Sequence, residues 1–371
     1  TGTVKAADAN YIAAKTDGVV TATIAADTAK KLVDALGNAK ITDLLKLTVN
    51  GATASVADLN TLATKTSVAA DAIKVDAKEI TGTVAQLGTA GTGLYALTTG
   101  FTGLADKNVK VTDTVAAATD AGLLSTILAG TKGVVTATAN GTVANLLTIA
   151  NATSGKDALT LYIITDTTAT ASNLLALDAK TSVKVDATAL SVSGTAAQLK
   201  ELAAAKGVQL AKDVALTVSG TTNAADLAAV LKATTGVVSA TVAADTASAL
   251  NSALKDANSS DALTLKVSGS TATAKDLLSL DAKTSRKIGL TVGEITGNIA
   301  EITKVFVDDA AHFTGVGTKA ATISGEITAA QADAVADRTS GVVTATIAAE
   351  TATALNTALV TNGDTTLNAY K

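Results

Sequence analysis

Two kinds of short run alternate along this chain. The first kind is dense in β-branched residues: VVTATI (19–24), VALTV (214–218), LTLKV (263–267) and AATISG (320–325). Val, Thr and Ile at that density, bounded by Gly, Asn and Asp, predict strands of roughly four to seven residues. The second kind carries apolar residues three or four apart, as in Leu32/Leu36, Leu59/Leu62, Leu199/Leu202, Leu250/Leu254 and Leu277/Leu280. That spacing predicts short helices with one buried face. Between each strand-like run and the helix-like run after it stands Ser, Thr or Asn, followed three positions later by Asp, Glu, Gln or Asn. The pairs are Ser55/Asp58, Thr83/Gln86, Thr170/Asn173, Thr195/Gln198, Asn223/Asp226, Thr273/Asp276, Asn298/Glu301 and Thr328/Gln331. This is capping-box spacing, and eight instances in the same place mark eight helix starts.

The alternation repeats at two levels. GVVTATIAADTAKKLVDAL (18–36) returns as GVVSATVAADTASALNSAL (236–254) and GVVTATIAAETATALNTAL (341–359), and in worn form as GVVTATANGTVANLLTIA (133–150). A second phrase occupies 45–67, 159–182 and 263–285, and a third 79–87, 191–199 and 294–302. A fourth lies at 214–231, matched more loosely at 108–124, and residues 1–20 align without gaps on 324–343. The divisions are a partial unit at 1–17, periods at 18–132, 133–235 and 236–340, and a partial period at 341–371. A strand followed by a helix, repeated about thirteen times, predicts an α/β repeat in which successive strands lie parallel and adjacent, a solenoid-like stack. The alternative is an array of closely packed α/β beads of about 105 residues each, a common domain size.

Composition narrows the chemistry. The chain has 371 residues, 47% of them hydrophobic, yet only three Phe, four Tyr and no Trp, Pro, Cys or Met. Small side chains suit closely approaching backbones, and the absence of Pro suits an unbroken ladder of backbone hydrogen bonds. No disulfide, thiolate metal site or Cys nucleophile can form. Net charge is −4, with cations and anions interspersed. Nothing resembles a nucleic-acid footprint, and no apolar run is long enough to span a membrane. His312 is the only histidine, and Asp308 and Asp309 stand just before it, which raises an acid/base pair or half a metal site against the plainer reading of a polar loop. No phosphate loop, nucleophile elbow or calcium-binding nonapeptide occurs. No catalytic residue and no cofactor is expected. Calcium is a candidate ligand only at the recurring carboxylates Asp27, Asp245, Asp178 and Asp281. The competing reading makes Asp27 and Asp245 helix caps, and Asp178 and Asp281 turn residues.

Phrases such as LLALDAKTSVKVDATALSVSGTAAQLKEL and LTVSGTTNAADLAAVL resemble the repeats of very large Ala/Thr/Val-rich secreted proteins of bacteria, especially marine cyanobacteria. That resemblance implies an extracellular surface-layer or matrix-filament role. The leading expectation is a non-enzymatic structural protein that assembles head to tail with copies of itself. Thr1, Gly2, Thr3, Val4, Thr365, Thr366, Leu367, Asn368, Ala369, Tyr370 and Lys371 would form the junction. Neither end carries a polar cap, so a slice of a longer chain and a subunit joined end to end are both open. Cell-surface polysaccharide is a further candidate partner, and an adhesin or phage fibre stalk is the alternative function.

Overall fold

The computed structural model describes residues 2–67, 73–95, 100–153, 155–359 and 368–371. The protein is α/β. Among the described residues fourteen α-helices alternate with short strands, and every strand pair with a described register is parallel. The chain divides into two compact units, Thr1–Ala189 with Ala205–Leu210, and Leu190–Ala204 with Ala211–Lys371.

In the first unit one sheet runs through Thr3–Val4, Thr21–Ile24, Leu44–Val49, Ile73–Val75 and Phe101–Thr102. A second runs through Thr53–Ser55, Glu79–Gly82, Asn108–Ala116, Val135–Gly141, Ala158–Ile163, Val185–Asp186 and Val208–Gln209. In the second unit the long sheets run through Ser191–Gly194, Leu216–Thr222, Val238–Val242 and Ala262–Thr264, and through Thr271–Thr273, Glu294–Asn298, Ala320–Ile327, Val343–Ile347 and Ala369–Tyr370. Between these lies a shorter sheet of Lys266–Val267, Ile288–Leu290 and Phe313–Thr314. Order in each sheet is order in the chain. A parallel neighbour is reached only by a crossover, and a helix supplies it.

Leu45, Leu47 and Val49 are buried while Leu44 and Lys46 are exposed and Thr48 is half-buried, the period-two pattern of a half-buried strand. Against such strands pack the buried faces of the helices Ala29–Ala35, Val56–Ala63 and Ala274–Asp281, through Leu32, Leu59, Leu62, Leu277 and Leu280. Ala29, Ala247 and Ala274 let those helices sit close, being buried themselves.

All eight expected caps form: each Ser, Thr or Asn side chain accepts the backbone N–H three residues on. The return bond divides them. Gln86, Gln198, Glu301 and Gln331 reach back to the cap's own N–H. Asp58, Asp226 and Asp276, one methylene shorter, accept a hydrogen bond from the cap side chain instead, and Thr170 with Asn173 forms no reciprocal box. Half of the predicted boxes are therefore one-way caps.

A second set of side chains joins coil to coil. Asp43, Asp157 and Asp261 are buried, and the Oδ1 of each accepts from the backbone of the preceding strand: Val20 N at 2.9 Å, Val135 N at 2.9 Å and Val238 N at 2.8 Å. Asn368 does the same for Val343 N at 2.9 Å. One coil later a buried threonine grips the next strand by both backbone groups. Thr284 Oγ1 accepts from Leu263 N at 3.0 Å and donates to Leu263 O at 2.8 Å. Thr66 does so with Leu45, and Thr181 with Leu159. Each clasp gives buried backbone groups a partner that the short strands leave wanting.

Replacing Asp261 by Ala strands the Val238 N–H in the core, and we expect a loss of about 1–3 kcal/mol in chemical denaturation. Asp261→Asn keeps one acceptor, as Asn368 does, and should cost clearly less.

Candidate functional site

The expected site residues fall into three places. Asp27 and Asp245 precede the helices Ala29–Ala35 and Ala247–Ala253 by two residues. The N-caps are their neighbours Thr28 and Thr246. Each aspartate instead accepts the N–H of that threonine, at 2.8 and 2.7 Å, and its backbone bridges to Val49 or Val267. The Thr28 N–H, aided by Lys31 and opposed by desolvation, holds the Asp27 carboxyl below its usual value. These carboxylates orient the chain into the helix.

Asp178 and Asp281 close equivalent helices, Ala171–Asp178 and Ala274–Asp281, and their surroundings differ. Beside Asp178 lies Gly207, where a Cβ would sit 1.5 Å from the carboxylate. The register fixes the equivalent of Gly207. Val185 pairs with Val208, and its counterpart Ile288 pairs with Phe313, so the residue before Phe313 fills the same slot. That residue is His312. Its Nδ1 lies 2.9 Å from Asp281 Oδ2. The four calcium candidates are thus not gathered, and among the described residues no group of three or more His, Cys, Asp or Glu is placed to hold a metal ion.

The histidine pairs across 31 residues and not with its sequence neighbours, for Asp308 and Asp309 lie 3.5 and 4.0 Å from Lys304. A π-helical turn, Lys304–Asp308, and a 3-10 turn, Ala310–His312, carry the chain across to Asp281 while burying Phe306. Around the pair is a pocket of about 410 Å³ whose wall includes Ser259, Ser285, Arg286 and Lys287. Arg286 was not singled out from the sequence. The signal was there: LLALDAKTSVKVD (174–186) aligns on LLSLDAKTSRKIG (277–289), and Arg286 stands where the other copy has Val183. The hydrogen bond His312 donates to Asp281 and then the charge of Asp281 raise the His312 pKa above 6.5, with Asp309 adding to the rise and desolvation and Lys287 opposing it.

At the expected junction, Thr3–Val4 pairs with Thr23 and Ile24 and ends its sheet, and Ala369–Tyr370 pairs with Thr344 and Ala345 and ends another. Lys371 N donates to Ala345 O, Asn368 holds Val343, and Gly2 is exposed. Thr1, Thr365, Thr366 and Leu367 lie outside the described residues. No helix among the described residues is long and apolar enough to cross a membrane. No protein-family profile, curated protein or solved structure matches the chain.

The folded-state pKa of His312 lies above its unfolded value, so the pair's contribution to stability is complete below about pH 6.5 and is lost as pH rises through the raised value. An NMR titration, simple to assign with one histidine, should give a midpoint above 6.5 that Asp281→Asn moves downward.

Proposed function

We propose that the chain is a non-enzymatic structural repeat protein of the cell exterior, an α/β solenoid whose end faces dock the continuation of its own pattern and so build a filament, sheath or surface layer. One observation carries this reading: the aligned phrases receive the segment before them through the same glycine. In the aligned phrases, a Cβ on Gly133, Gly236 or Gly341 would meet the backbone of Lys107, Asp213 or Lys319, just ahead of the preceding strand, at 2.2, 2.1 or 2.4 Å. Glycine is obligatory there. At Gly18 the nearest atom is the Thr16 hydroxyl at 3.2 Å, and no strand backbone lies within 4 Å. The glycine is retained although the chain's described residues place no strand against it.

The apolar pattern agrees. Ile12, on the helix Ala6–Ala13, is 54% exposed, whereas Val335 at the aligned position is fully buried. Tyr11 beside it is 67% exposed. On the helix Ala352–Leu359, Ala352 is exposed, while its counterparts Ala29 and Ala247 are buried. Surfaces that repeat one pattern can meet head to tail, a contact that grows into a fibre when it does not close. The extracellular setting rests on the resemblance of the phrases to repetitive secreted proteins. The non-enzymatic reading rests on side chains used almost wholly for caps, clasps and core.

Electron microscopy of the purified chain at rising concentration should show end-to-end assemblies. Discrete monomers at every concentration would rule the reading out. Gly18→Leu should abolish assembly without lowering the denaturation midpoint of the monomer. Gly236→Ala should destabilise the fold itself, by about 1–3 kcal/mol for displaced backbone.

A further inference from the structure

In a chain that writes its phrases repeatedly, positions where one copy departs from another are informative. Two such departures meet in one pocket. Arg286 replaces Val183, and His312 occupies the slot that Gly207 fills beside Asp178. Both bring a cationic or protonatable group to the same 410 Å³ space, next to Lys287. The one carboxylate on the wall, Asp281, has its Oδ2 on His312. Two shallow depressions continue the pocket over the sheet. One, of about 230 Å³, shares Arg286 and adds Thr217, Ser239 and Thr241. The other, of about 470 Å³, shares Lys287 and adds Lys266 and Thr314.

We propose that this surface of the second unit binds an acidic polysaccharide, with the pocket at Arg286 and His312 receiving a carboxylate or sulfate group of one sugar. Arg286 offers a planar fork suited to either anion, and Lys287 and His312 add charge. The run of Ser and Thr hydroxyls supplies partners for sugar hydroxyls. No Phe, Tyr or Trp ring lines any of the three depressions, so recognition is by charge and hydrogen bonding rather than by stacking on such rings. Three connected open depressions suit a polymer better than a compact ligand, which is usually enclosed. The groups around His312 are Asp281, Asp309, Lys287 and Arg286. With Asp281 as its fixed partner His312 is charged in mildly acidic solution, and affinity falls as pH rises through its titration. None of this requires end-to-end assembly.

Calorimetry of the full chain at low salt and pH 6 tests it, with polygalacturonate, dextran sulfate, neutral dextran, monomeric galacturonate and inorganic sulfate as probes. Polygalacturonate or dextran sulfate should bind, and neutral dextran should not. Arg286→Val, which restores the residue of the sister phrase, and His312→Ala should each weaken binding about fivefold or more, the loss expected for a charge-assisted contact. Lys200→Ala, the same change of charge on the exposed side of the helix Ala196–Ala204, should leave affinity unchanged. The His312→Ala variant should also flatten the fall in affinity between pH 6 and pH 8.5. Equal losses in all three variants would reduce the effect to net charge and overturn the site. Binding of neutral dextran as tightly as the acidic polymers, or of inorganic sulfate with no binding of either polymer, would overturn it as well.

Discussion

A strand in a parallel pair satisfies only half of its backbone with each neighbour, so no coil of this chain is complete by itself. Much else in the structure answers that dependence. Short strands leave backbone groups over, and Asp43, Asp157 and Asp261 collect some of them from the coil before. Thr66, Thr181 and Thr284 likewise hold the strand before them, at Leu45, Leu159 and Leu263. Gly133, Gly236 and Gly341 admit the preceding backbone at distances that any side chain would forbid. The small-residue composition and the lack of proline follow from the same need.

The elements themselves were legible, because strand content and capping are local properties. The run VSATV gives the strand Val238–Val242, and Thr246 starts a helix on cue. The stretch SVKVDATALSVSG carries two short strands, Val185–Asp186 and Ser191–Gly194, as its two β-branched runs suggest. The one-way caps were not legible from spacing, since Asp and Glu share a charge and differ by one methylene. The clasps were hidden for another reason. TDLL, KDAL and SDAL read as turns, and the Val that each aspartate serves lies 22 or 23 residues earlier. Aligning the second phrases two residues further upstream would have exposed the recurring aspartate.

The pocket illustrates how a repeating framework acquires chemistry. The sequence drew His312 toward Asp308 and Asp309, its neighbours, but turn geometry points it at a residue one coil back. What selects the partner is the parallel pairing of Ile288 with Phe313, which sets the residue before Phe313 beside Asp281. Asp281 is held in common with Asp178 and Lys287 with Lys184, while Arg286 and His312 are among the departures. Two substitutions on an existing scaffold are enough to turn a slot filled by glycine into a charged recess.

The clasps bear on a hazard peculiar to this composition. Sliding a strand by two residues against its neighbour keeps every Val and Leu pointing inward, so the apolar pattern alone opposes such a shift only weakly. A shifted strand would carry Asp157 or Asp261 away from its amide and leave an uncompensated carboxylate in the interior, which is expensive. Each clasp therefore acts as a frame marker for the stack. Between two markers the phrases are free to drift in sequence, and alignment is restored wherever the next aspartate finds its valine.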